Sequence, residues 1–171
     1  PPVRMVSTFP ELNVRTYVDY GGRPGIYFFS LDAARVAAVL AARRGYRLPY
    51  FHARMKAEHQ GDAISYESTR TDSSGPQAEL RARYGPSGAR LPIDDGSLER
   101  WLSERYCLYV VDQHQRALRA DIHHPPWPLQ PAEASFEVNT MAAPLSIPLD
   151  SAPLLHYSAR QDVLIWPLAP A

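Results

Sequence analysis

Polar and apolar side chains alternate from Glu11 to Val18, and the same beat returns from Tyr50 to Met55. Successive side chains of a strand point to opposite faces, so Glu11, Asn13, Arg15 and Tyr17 share one face while Leu12, Val14 and Val18 take the other. The same rule groups Tyr50, His52 and Arg54. Two strands of this kind predict a polar cavity lined by a carboxylate, two guanidiniums, an imidazole and a phenol. Such a cavity suits a small anionic or carbonyl-bearing ligand.

Turn and cap signals divide the rest of the chain. Asp19 to Gly25, with Gly21-Gly22 at its centre, reads as a hairpin turn, because paired glycines tolerate the positive φ such turns demand. Ile26 to Leu31 is then the returning strand. A helix is expected from Ser30 or Asp32 to Arg44, with Val36, Val39 and Leu40 on one stripe and Gly45 as its stop. Further strands are expected over Tyr46 to Met55, Ala63 to Arg70, Gln77 to Tyr84, Tyr106 to Asp112, Ala117 to His123, Ala134 to Thr140 and Asp162 to Trp166. Ser97 caps a second, short helix on which Leu98, Trp101 and Leu102 form one apolar face, with Trp101 expected in the core. His124 to Leu129 contains three prolines that deny a central strand its ladder donors, which makes it an ordered loop or lid. Many short strands, close turns and two short helices argue for a mainly β, α+β fold: an antiparallel barrel or strongly curved sheet with two peripheral helices.

Composition narrows the partners. The 171 residues carry a formal net charge of zero, with both signs scattered, so no basic stripe is offered to a phosphate backbone and nucleic acid is not expected. No apolar run approaches the ~20 residues of a spanning helix, so no membrane is expected either. Cys107 is the single cysteine, lies among apolar neighbours and has no partner for an intrachain disulfide, which fits a reducing cytoplasm. Lys56 is the only lysine. The first residue is Pro1 rather than an initiator methionine, so the chain reads as a fragment or a processed product.

Phe9 to Val18, Pro24 to Asp32, Leu48-Pro49-Tyr50, His52 to Met55, Pro126 to Leu129 and Val163 to Leu168 together resemble the YqjF-like family of bacterial proteins. The resemblance runs over nearly the whole chain. That family in turn resembles a distant branch of the acetoacetate decarboxylase superfamily, whose pattern is a carboxylate strand, a Gly-x-x-Gly-x-Tyr hairpin, a helix and a Pro-Lys supplying the Schiff-base lysine. The matching pieces here are Glu11, Gly22 to Tyr27, the helix after Asp32 and Pro49-Tyr50. The resemblance therefore implies one acetoacetate decarboxylase-like domain over residues 1–171, with Glu11 in the pocket and Tyr50 at the lysine position. A phenol forms no imine, so Schiff-base decarboxylation is not implied. Lys56 lies six strand residues, roughly 20 Å, further along. The resemblance also implies an N-terminal portion that this chain lacks, and exposed edges left by its absence would favour a homodimer.

Three functional classes stay open. The first is a binding protein whose cavity takes a small organic acid or carbonyl metabolite through Asn13, Arg15, Tyr17, Tyr50 and Arg54, with Trp127 closing over it or stapling its loop. The second is a lyase, hydratase or isomerase using Glu11 with Tyr50 or His52 as acid and base. The third is a structural or oligomerisation module. No cofactor is expected, and no metal: the six histidines show no chelating spacing, and His123 and His124 alternate sides if extended.

Overall fold

The computed structural model describes residues 2–5 and 9–171. In chain order the elements are β1 (Val3–Met5), β2 (Glu11–Tyr20), β3 (Arg23–Ala33), α1 (Val36–Tyr46), β4 (Tyr50–Gln60), β5 (Ala63–Arg70) and β6 (Glu79–Pro86). They continue with α2 (Leu98–Ser103), β7 (Cys107–Val111), β8 (Ala117–His123), β9 (Gln130–Asn139), β10 (His156–Tyr157), β11 (Val163–Ile165) and β12 (Ala169–Pro170). The fold is mostly β, with the two expected helices. Its sheet runs β1-β11-β8-β7-β3-β4-β5-β6-β9-β10, with β12 on β8 and β2 on β3, and it does not close into a barrel.

The β2/β3 hairpin is the point from which the sheet fans out. Gly21 and Gly22 both have positive φ, 64° and 79°, the pairing that matches a two-residue turn to the twist of its strands. β3 then carries antiparallel β2 along its full length. Its other side is shared by two parallel partners, β7 at Ile26–Tyr27 and β4 at Leu31–Ala33. These two are the parallel ladders of a sheet whose other described ladders are antiparallel, in keeping with the expected mainly β, strongly curved sheet. Gly25 lies at a close approach of β3 to β7, where an added Cβ would come 2.6 Å from the Tyr109 ring and 2.8 Å from Cys107 Sγ.

Two clusters of buried side chains form on opposite sides of this fan. One gathers Leu31, Ala33, Val39, Leu48, Tyr50, Leu108, Val110, Ala120 and Ile165; the other gathers Tyr66, Ala78, Leu80 and Met141, with Leu12, Val14 and Met55 against it. β2 thus buries its Leu12 and Val14 face in the second cluster and turns its polar beat toward the first.

The first helix starts later than expected. Asp32 stays in β3 with no exposed surface, facing Arg70 of β5, because a buried carboxylate requires a partner and the strand supplies one. α1 begins at Val36, and Arg47, at φ 53°, closes it in place of Gly45. Arg43 of its last turn donates Nε to the Tyr50 carbonyl at 2.6 Å and Nη2 to Asp72 at 2.7 Å, fixing where β4 starts. Ser97 caps α2 as expected, its Oγ accepting from Arg100 N. Trp101 and Leu98 of α2 are not core, however: each keeps more than half its surface exposed.

Candidate functional site

The cavity opens where β7 and β4 part company along β3. It encloses about 160 Å³, and β2, β3, β4, β7, β8, β11, α2 and the loop before β9 all contribute to its wall. Most of that wall is aliphatic, including Leu31, Leu48, Leu108, Ile122 and Ile165. The polar groups are few, and they fall into two sets.

The first set is Glu11 with Tyr50. β2 and β4 flank β3, so the first residues of both strands meet, and the Tyr50 hydroxyl donates to Glu11 Oε2 at 2.9 Å. The main chain is pinned as well, since Tyr66 donates its hydroxyl to the Glu11 carbonyl at 2.8 Å. Burial strips water from the Glu11 carboxylate and raises its pKa, and the Tyr50 hydrogen bond offsets part of that rise. Burial, followed by the Glu11 charge and the hydrogen bond to it, pushes the Tyr50 phenol far above its ordinary range. Tyr50 is accordingly a fixed hydrogen-bond donor.

The second set is cationic. Opposite the Val14–Arg15 step it is β3 that bulges, with Phe29 as the extra residue; β2 keeps its alternation, and Arg15 follows Glu11 to the cavity from an otherwise exposed position. Its guanidinium lies 5.7 Å from the Tyr17 ring centre. Arg105, between α2 and β7, also lines the cavity and is only 6% exposed. Its guanidinium sits 4.3 Å from the Trp101 ring centre and 5.6 Å from that of Tyr17, while Nη1 donates to the Glu104 carbonyl at 3.2 Å. Nε of Arg105 is buried with no hydrogen-bond partner. Neither Arg15 nor Arg105 has an ion-pair partner among the described residues.

His124 and Trp127 complete this end. The His124 ring stacks on Tyr106 and meets Trp127 edge-on, with Nδ1 2.9 Å from the Pro125 carbonyl oxygen and Nε2 3.3 Å from that of Arg105. An outer groove continues from the cavity past Arg15, Leu102, Ser103 and Trp127 to Tyr17, Glu99 and His156.

The structure therefore brings Glu11, Arg15, Tyr50 and Trp127 to the cavity and Tyr17 to its outer groove. His52, Arg54 and Asn13 fall elsewhere. The alternation of β4 holds, but the strand passes from one buried cluster to the other, so its interior beat moves from Tyr50 to Ala53 and Met55. His52 turns to the Thr71 loop, Nδ1 lying 2.9 Å from Thr71 Oγ1. Arg54 is exposed, in a separate groove with Lys56 and Glu67, and Asn13 is exposed. The cavity is consequently less polar than the strand pattern implied. Sequence periodicity marks neither Arg105 nor His124 as a cavity residue, because each sits in irregular chain beside a strand. Among the described residues no group of three or more His, Cys, Asp or Glu side chains could hold a metal ion.

Lys56 is fully exposed and paired with Glu58 at 2.8 Å; that hydrogen bond and charge raise its pKa further. No lysine lines the cavity.

The fold is acetoacetate decarboxylase-like. It matches a solved acetoacetate decarboxylase with a TM-score of 0.61, 13% identity and coverage of 95% of this chain and 68% of the other. The enzyme from Legionella pneumophila matches with a TM-score of 0.55 and 13% identity over 94% of this chain and 63% of its own. Within that fold the chain belongs to the DUF2071 family, uncharacterized conserved proteins (COG2071), whose model matches residues 1–162. It is 50% identical to the uncharacterized protein YqjF of Bacillus subtilis over 98% of this chain and 69% of that protein. No helix of the described residues is long and apolar enough to cross a membrane.

Proposed function

We propose that the cavity binds a small metabolite carrying a carboxylate or carbonyl, without Schiff-base chemistry. The observation that carries this reading is a buried carboxyl–phenol pair, Glu11 with Tyr50, in a cavity lined also by two guanidiniums, exposed Arg15 and buried Arg105, that have no carboxylate partner among the described residues. A buried cation without a counter-charge is unfavourable unless something supplies one. An organic acid would do so, and Glu11 or Tyr50 would meet its carbonyl. The fold neighbours named for acetoacetate, a small keto acid, agree with that ligand class. Tyr50 in the wall and the absence of lysine there speak against an imine.

A second reading has its own support. Burial raises the Glu11 pKa, which is the tuning that lets a carboxyl give and take protons nearer neutrality. Enolisation, hydration or a non-imine decarboxylation would then use Glu11 as acid and base with Tyr50 holding it. His52 has no part in this, since it points away from the cavity. Incubating the protein with a panel of keto and hydroxy acids, and following both thermal stabilisation and turnover, separates the two. Stabilisation without turnover supports binding alone; turnover abolished by Glu11→Gln supports the enzyme.

A cytoplasmic setting belongs to the same proposal and suits the free, buried Cys107. So does a homodimer, for which β2 offers an edge with no ladder partner beyond β3 among the described residues. Sedimentation equilibrium would test the dimer.

A further inference from the structure

The cavity is asymmetric in a way that specifies its ligand further. Arg105 and Arg15 both sit on the ring of Tyr17, at 5.6 and 5.7 Å, so positive charge concentrates at one end. Glu11 and Tyr50 hold the other, Glu11 standing four residues before Arg15, roughly 13 Å of strand. Between the two ends the wall is aliphatic. Arg105 differs from Arg15 in being sealed from solvent: its Nε is buried without an acceptor, and aromatic faces cover the guanidinium where a carboxylate would ordinarily sit. An Arg fork presents donors in a geometry that matches a carboxylate, and here one of those donors is unspent.

We infer that Arg105 anchors the carboxylate of an amphipathic organic acid whose aliphatic body lies along Leu31, Leu48, Leu108, Ile122 and Ile165. The inference rests on the reading of the cavity as a ligand site and narrows it from small polar keto acids to acids with an apolar tail. A short polar acid would leave the aliphatic wall against water or empty space. Each buried methylene should instead tighten binding about fourfold until the cavity is filled.

Titration calorimetry with butanoate, hexanoate and octanoate, beside hexanamide and octanamide, tests this. The expected results are affinity rising with chain length and each acid binding at least tenfold more tightly than its amide. Arg105→Gln should abolish that preference while leaving amide affinity within about twofold. If acids and amides bind the native protein equally, or Arg105→Gln leaves the preference intact, the anchor is overturned although the cavity remains a ligand site. If short acids such as 2-oxopropanoate bind while hexanoate and octanoate do not, the amphipathic class is overturned. If no acid or amide binds at all, the ligand-site reading itself fails. Should Arg105→Gln not fold, Arg105→Met, which removes the charge but keeps the apolar stem, and the preference of the native protein carry the same decision.

Discussion

Tyr50 donates a hydrogen bond of 2.9 Å to Glu11 although their strands never pair with each other. β3 lies between them, and its registers, Glu11 with Ala33 and Tyr50 with Leu31, bring the two side chains to one side of the strand. A carboxyl buried there is costly to the fold.

That cost has a sign. The folded Glu11 pKa lies above its ordinary value, so folding favours the protonated form. The associated stability is fully present below the ordinary carboxylate pKa and is lost as pH rises through the raised folded value. Glu11→Gln should therefore raise Tm at pH 7 to 8, on the order of 1 kcal/mol or a few degrees for a domain of this size. Below about pH 4 the difference should vanish, because both side chains are then neutral. Equal melting temperatures at both pH values would mean that Glu11 is ordinarily ionised in the fold.

Asp32 and Arg70 carry the opposite risk. Asp32 Oδ1 accepts from Arg70 Nε at 2.9 Å, Oδ2 has no partner, and neither residue has appreciable exposed surface. Arg70→Met alone should cost about 3 to 5 kcal/mol in urea unfolding, because it strands a buried carboxylate. Asp32→Leu combined with Arg70→Met should recover most of that loss. A double variant no more stable than the single one would show that the pair positions the strands rather than merely neutralising itself.

Much of this architecture could be read before any coordinates. The Gly21-Gly22 turn, β5, the β7/β8 hairpin and the Ser97 cap are legible because each depends on neighbours in sequence. Glu11 and Arg15 were placed together by strand parity alone. His52 and Arg54 were misplaced because parity assigns a face but not its surroundings, and β4 changes which side is interior partway along. The Asp32 helix cap failed for a related reason: a distant arginine held the residue in a strand. The short strands β1, β10 and β12 had too few residues to show a period, and Arg105 acquires meaning only through Trp101 and Tyr17 beneath it.

Gly25 tests the point where the sheet divides. Gly25→Ala would drive a methyl into the Tyr109 ring and the Cys107 backbone, and should cost about 1 to 3 kcal/mol as overpacking. Gly45→Ala, in the last turn of α1 with nothing within 4 Å and no positive φ, should be neutral or stabilising. Equal effects of the two substitutions, measured by thermal unfolding, would show that the β3 and β7 backbones are further apart than described.

Whether an imine forms is directly measurable. Lys56 is held protonated by Glu58 on the protein surface, which makes it a poor nucleophile. Borohydride reduction in the presence of acetoacetate should leave the intact mass unchanged. A stoichiometric adduct lost in Lys56→Arg would restore a Schiff-base mechanism.

The most direct test of the cavity as a ligand site is methyl NMR on Ile-, Leu- and Val-labelled protein titrated with 3-oxohexanoate. Saturable shifts should appear at Leu31, Leu48, Leu108, Ile122 and Ile165 and spare Leu80, which lies in the other buried cluster. No shifts at millimolar ligand, or shifts confined to surface methyls such as Leu98 and Leu154, would contradict a metabolite site between Glu11 and Arg105.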